Sequence, residues 1–172
     1  MCEQAFGLLA QGKIIRKTII NKGDFNKVST TNMIRTMKEV HPTKILLVKI
    51  GKFYHAYGKD SYILAFLFNY QIKKVETNVN TVGFPEMALN KVLKTLEDKN
   101  IDYIVLEKAS NYEVISEEEF KDKNQYSELY NKSHRYIVRT NKIDAIYEHL
   151  ISNISDETIK EKINSIEEIL YD

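Results

Sequence analysis

Hydrophobic and polar residues follow two different periods along this chain, and the switches between them mark its elements. Ile45-Leu46-Leu47-Val48 has the length and composition of a buried strand. Gln71–Glu76, Thr81–Phe84 and Ile101–Glu107 read as further strands, and Tyr112–Ile115 pairs with the last of them after a Ser110-Asn111 turn. Helical spacing governs the segments between. Ser29-Thr30-Thr31-Asn32 supplies N-caps for a helix to about Val40, with Met33, Met37 and Val40 on one face, and His41-Pro42 stops it. Lys59–Asn69 is apolar on most sides and is expected to be a buried helix. Pro85 suits the first turn of a helix to about Lys99, with Met87, Ala88, Val92, Leu93 and Leu96 inward. This alternation predicts an α/β fold: a mixed β-sheet flanked by helices.

The two ends read differently. Residues 3–12 have the spacing of a short amphipathic helix, and Lys13–Asn21 is β-branched enough for a strand without excluding a helix. From Ser116 the chain turns polar and helical. Ser116-Glu117-Glu118-Glu119 fits a capping box for a helix towards Ser133, and Tyr136-Ile137-Val138 reads as a short strand or turn. Asn141–Ile151 is a second helical stretch. Ser155-Asp156 caps a third, whose stripe of Ile159, Ile163, Ile166, Ile169 and Leu170 is expected to pack on its own domain. The organisation predicted is an N-terminal extension (1–28), an α/β domain (29–115) and an acidic C-terminal helical extension (116–172).

Charge sharpens this picture. The net charge is only +1, but residues 1–52 carry ten Lys/Arg against three acids, whereas residues 107–172 carry nine bases against fifteen acids. A basic half suggests a polyanionic partner; the acidic end either faces a basic protein or keeps the chain soluble. No apolar run is long enough to cross a bilayer and no signal-peptide pattern opens the chain, which implies a soluble, cytoplasmic protein without a membrane partner. The single cysteine, Cys2, excludes an intramolecular disulfide and a thiolate metal cluster.

Candidate chemistry concentrates in Lys49-Ile50-Gly51-Lys52-Phe53-Tyr54-His55-Ala56-Tyr57-Gly58. Bases and aromatics interleave there, as needed to stack on a nucleobase while neutralising phosphate. The alternative, a strand that buries Phe53 and shows Lys52 to water, stays open at this level. A phosphate loop is excluded, because Phe53 stands where glycine is required and Asp60 where Ser or Thr is required. His41, His55, His134 and His149 are scattered without metal-ligand spacing, Glu117-Glu118-Glu119 reads as a solvated helix start, and no nucleophile elbow is present. No enzyme, metal or cofactor is expected.

Thr31-x-Met33, Lys38, His41-Pro42, the apolar strand and Gly51-Lys52-Phe53-Tyr54-His55, in that order, resemble the N-terminal mismatch-recognition domain of the MutS family. The family pattern there ends in Gly-Asp-Phe-Tyr-Glu. Thr81-Val82-Gly83-Phe84-Pro85 with Ala88-Leu89 resembles the family's Gly-x-Pro-x-x-Ala segment, and Ile101–Glu107 resembles the strand that closes the domain. The resemblance covers residues 29–108. It implies binding of duplex at the minor groove, with Phe53 as a wedge beside an irregular base. The family's Glu falls on His55 and its Asp on Lys52, so two negative positions become neutral or positive; this implies stronger and less mismatch-selective binding. The implied site comprises Phe53, His55, Lys52, Lys49, Thr81 and Gly83. The expected function is a non-catalytic accessory that engages duplex DNA or an RNA–DNA hybrid. Small free-standing MutS-like proteins are associated with reverse-transcriptase systems, so a polymerase or reverse transcriptase is the implied protein partner. The alternative is a protein-interaction adaptor whose MutS-like fold no longer touches nucleic acid and docks through its acidic helices.

Overall fold

The computed structural model describes residues 29–75, 79–120 and 125–171, so the elements expected within residues 3–21 lie outside the described residues. The elements run α1 (Thr30–Val40), β1 (Ile45–Ile50), β2 (Phe53–Tyr57), α2 (Lys59–Phe68), β3 (Lys73–Lys74), β4 (Asn80–Pro85), α3 (Leu89–Asp98), β5 (Tyr103–Glu107), β6 (Glu113–Glu118), α4 (Gln125–Ser152) and α5 (Glu157–Tyr171). Six strands form one sheet in the order β3-β4-β2-β1-β5-β6. Only β1 and β5 pair in parallel; the other neighbours are antiparallel. The sheet is therefore mixed, with helices on both faces, as the alternation of periods predicts. Among the described residues no helix is long and apolar enough to cross a membrane.

The β1 run Ile45–Val48 is buried on both faces, which is why it reads as a continuous apolar stretch and not as an alternating one. Ile45 and Leu47 join Tyr54, Ala56, Ile63, Leu64, Val82, Phe84, Val92 and Leu96 in the larger core beneath α2, α3 and α4. Leu46 and Val48 face the other way, with Ile34, Tyr57, Ile104, Leu106 and Tyr112 under α1. α1 begins where the Ser29 Oγ accepts the Asn32 N–H at 3.2 Å, which selects the first of the four candidate caps.

Several expectations need correction. Residues 53–57 form a strand of their own, turned back on β1 by the two-residue loop Gly51-Lys52 between the paired Ile50 and Phe53. Gly51 has φ +62°, the left-handed backbone that the first loop position of a II′ hairpin turn uses. The strand expected at Gln71–Glu76 shrinks to Lys73-Lys74. Pro85 ends β4 and does not open a helix; a 3-10 turn, Glu86–Ala88, intervenes before α3 and leaves Met87 90% exposed. Ser116–Glu119 caps no helix, because its backbone pairs with the edge of β5, where Lys44 Nζ holds Glu117 at 2.6 Å and Glu119 at 2.9 Å. A sheet ladder outcompetes a local cap.

Tyr136-Ile137-Val138 is neither strand nor turn. It lies within α4, 28 residues of continuous helix and so about 42 Å long. Ile137 packs on the main core with Tyr126, Leu129 and Tyr130, and this tertiary contact overrides the β-propensity of the triplet. In α5 only Ile159 of the apolar stripe is buried. Ile166, Ile169 and Leu170 are exposed, so that stripe packs on its own domain at one end alone.

A single carboxylate ties helix to sheet. Asp60, fully buried in the first turn of α2, accepts the Leu46 N–H through Oδ2 at 2.9 Å. Its Oδ1 accepts the Tyr126 hydroxyl at 2.6 Å and sits 2.7 Å from Lys38 Nζ. Lys38 also donates to the Lys44 carbonyl at 2.6 Å, and its ammonium lies 4.6 Å from the centre of the Tyr126 ring. Burial, with the Asp60 charge second, pushes the Tyr126 phenol far above its ordinary range, so it stays a donor. Asp60→Ala would strip the acceptor from three groups at once. We expect a loss of about 3–5 kcal/mol in urea unfolding, against about 1.5–3 kcal/mol for Tyr126→Phe, which removes the hydroxyl that donates to Asp60 and accepts from Lys38 Nζ at 3.1 Å.

Candidate nucleic-acid interface

Strand alternation sorts the residues of the β1–β2 hairpin. Tyr54 and Ala56 enter the main core, where the Tyr54 ring stacks 5.8 Å from Phe84. Phe53, His55 and Tyr57 therefore project from the opposite face. Phe53 sits at the hairpin tip, directly after the Gly51-Lys52 turn and opposite both Ile50 and Pro85, with its side chain half exposed at 51%. The hairpin holds the backbone of Phe53 in two ladders at once, so the ring is presented from a rigid base.

His55 lies one pleat behind it, opposite Gly83 on β4. Its ring lies over the glycine: a Cβ at position 83 would stand 3.1 Å from both Cε1 and Nδ1 of the imidazole. Gly83 is thus the seat of His55. Thr81, on the same face, donates its hydroxyl to the Ala56 carbonyl at 3.1 Å and is buried. The Tyr57 ring lies 6.2 Å beyond His55, and Lys73, paired with Thr81, adds a cation on the same face. Desolvation lowers the His55 pKa from its ordinary 6.5, so the imidazole is neutral at pH 7, with one nitrogen to donate and one to accept.

The other expected site residues are not all on this face. Lys49 pairs with Tyr54 and so points to the opposite side of the sheet. There its Nζ lies 2.8 Å from Glu86 and 3.4 Å from Glu107; the bond from Glu86 raises its pKa most. Lys49 is thus engaged by two carboxylates. Lys52 stands in the turn itself, exposed, and among the described residues it forms no ion pair. Its carbonyl accepts the Glu86 N–H at 3.0 Å, which fastens the tip to the start of the 3-10 turn. The structure therefore assembles Phe53, His55, Thr81 and Gly83, places Lys52 at their margin and separates Lys49 from them. Tyr57 and Lys73 join this face without having been anticipated. The period of two along Phe53–Tyr57 is what puts Tyr57 beside His55.

The arrangement offers a half-exposed aromatic ring and, behind it, a neutral donor–acceptor seated on Gly83. The ring can stack and the imidazole can exchange hydrogen bonds. Among the described residues no group of three or more His, Cys, Asp or Glu is placed to hold a metal ion. A family model described as MutS domain I matches residues 30–140, a span that contains the whole hairpin, Gly83 and the first half of α4. No curated protein matches the chain.

The shielding of His55 sets a pH dependence. Below pH 6.5 the unfolded chain takes up a proton that the folded imidazole resists, so stability falls as pH drops through and below that value and is unaffected above it. Thermal melts between pH 7.5 and 5 should show a larger acid loss for the natural chain than for His55→Gln. Equal losses would mean the ring is not shielded.

Proposed function

Because the chain belongs to the MutS domain I family, we propose that it is a non-catalytic accessory that binds irregular duplex, DNA or RNA–DNA hybrid, by wedging Phe53 beside a weakened base step. The observation that carries this reading is the exposed Phe53 ring, held at the hairpin tip while its neighbour Tyr54 is buried. Insertion of an apolar side chain at a base step costs a few kcal/mol of unstacking, less where the pair is already mismatched. Stacking on the ring returns roughly 1–3 kcal/mol, so irregular sites gain the most.

His55 occupies the position that meets the displaced base. Where a carboxylate would repel phosphate, a neutral imidazole contributes a hydrogen bond without that repulsion. Exposed Lys52 at the tip adds attraction to the backbone. The consequence is tighter binding to duplex in general and narrower discrimination. Binding of this kind does no chemistry by itself, so the chain would serve an enzyme that acts on the same duplex, a polymerase or reverse transcriptase.

Mobility shifts with matched, mismatched, hybrid and single-stranded probes across a salt series test the proposal. Affinity for the mismatched probe should fall steeply with salt, and Phe53→Ala should weaken it by roughly five- to a hundredfold while leaving the melting temperature nearly unchanged. A variant that melts earlier yet binds as before would reassign Phe53 to the core and end this reading. His55→Glu should weaken matched duplex more than mismatched duplex; equal losses would remove the histidine from the base.

A further inference from the structure

α4 carries a second cluster of bases and rings that the hairpin does not use. Lys132, Arg135, Tyr136 and Arg139 follow at helical spacing, so they share one face. All four are exposed, Tyr136 by 53%. They line a groove of about 440 Å³ with Phe66 and Ile143, and no carboxylate lines it. Lys132 Nζ lies 5.6 Å from the centre of the Phe66 ring, and Tyr136 meets that ring edge-on at 5.3 Å. Among the described residues none of the three bases forms an ion pair. The nearest acids along the helix are Glu128, one turn before Lys132 on the same face, and Asp144, beyond Arg139 and turned away from it.

The course of the chain brings this strip to the Phe53 end of the sheet. α2 leaves the far end of β2 at Gly58 and returns along it; beyond its end, Tyr70 stacks 5.7 Å from Phe84, the pairing partner of Tyr54. α4 runs alongside α2 in the same direction. Tyr126 meets Asp60, His134 lies 5.1 Å from Tyr62, and Tyr136 meets Phe66. α4 thus emerges past the core at the end of the sheet where the hairpin tip stands, in the helical layer on the face opposite Phe53.

We propose that this strip holds a single strand of nucleic acid as it leaves the duplex: Lys132, Arg135 and Arg139 take phosphates and Tyr136 supplies a platform for a base. Interleaved cations and an exposed ring in a one-sided groove match a strand whose bases are free to stack, and a closed duplex offers no such base. The proposal rests on the reading that Phe53 engages the duplex at the same end of the sheet.

The test uses the full chain and fluorescence anisotropy with three labelled probes: a mismatched blunt duplex, the same duplex with a twelve-nucleotide overhang, and oligo(dT) alone. The natural chain should bind the overhang probe about tenfold or more above the blunt one. Arg135→Glu with Arg139→Glu should abolish that excess, leave the blunt duplex within about twofold, and lower the salt slope on oligo(dT) by roughly 0.7 for each phosphate that is no longer neutralised. Tyr136→Leu, which keeps an apolar side chain against Phe66, should weaken oligo(dT) roughly five- to a hundredfold. Unchanged overhang binding in the arginine variant, or an equal loss on all three probes, overturns the strip, as does preference for polyglutamate over oligo(dT). Phe53→Ala reports separately: if blunt-duplex binding survives it while the arginine variant still loses oligo(dT), the wedge fails and the strip stands.

Discussion

The buried carboxylate of Asp60 is the constraint on which the arrangement of layers depends. A carboxylate without solvent needs hydrogen-bond partners from the protein, and here the three come from three different elements: the backbone of β1, Lys38 of α1 and Tyr126 of α4. Apolar packing alone tolerates sliding of one helix over another, because dispersion contacts have little directional preference. Hydrogen bonds of 2.6–2.9 Å to one carboxylate do not. They fix the start of α4 against α2 and so set the line along which the remaining turns of that long helix travel.

The same reasoning separates what the residues announce from what they conceal. Ile45–Val48 and Ile101–Glu107 are legible because a strand buried on both faces must be apolar throughout, and no neighbour alters that. The helix over Thr30–Val40 is legible because its cap is local. Residues 116–119 are misleading for the converse reason. Their local pattern favours a helix start, but Lys44, more than seventy residues away in sequence, draws Glu117 and Glu119 to the sheet edge. Tyr136-Ile137-Val138 deceives in the same way: its β-propensity yields to a core position defined by α2. Non-local contacts decide these segments, and a sequence read in windows does not contain them.

The candidate site was partly legible. Phe53 and His55 stand out by composition, and Gly83 by resemblance, yet their common face follows only from the register of two strands that the two-residue loop creates. Lys49 shows the cost of lacking that register. One position removed from the turn, it points away from Phe53 and lies between Glu86 and Glu107. The basic run along α4 was hidden because breaking the helix at residue 136 scatters side chains that an unbroken helix aligns.

The two margins of the sheet carry opposite signs. β3 is only the pair Lys73-Lys74, whereas β6 bears Glu113, Glu117 and Glu118. Short or charged margins discourage strand-to-strand stacking between copies of the same kind. They also give the six-stranded layer a lateral electrical polarity, with the lysine margin nearer β2 and the glutamate margin remote from it. A polyanion passing along the sheet is drawn to one margin and repelled by the other.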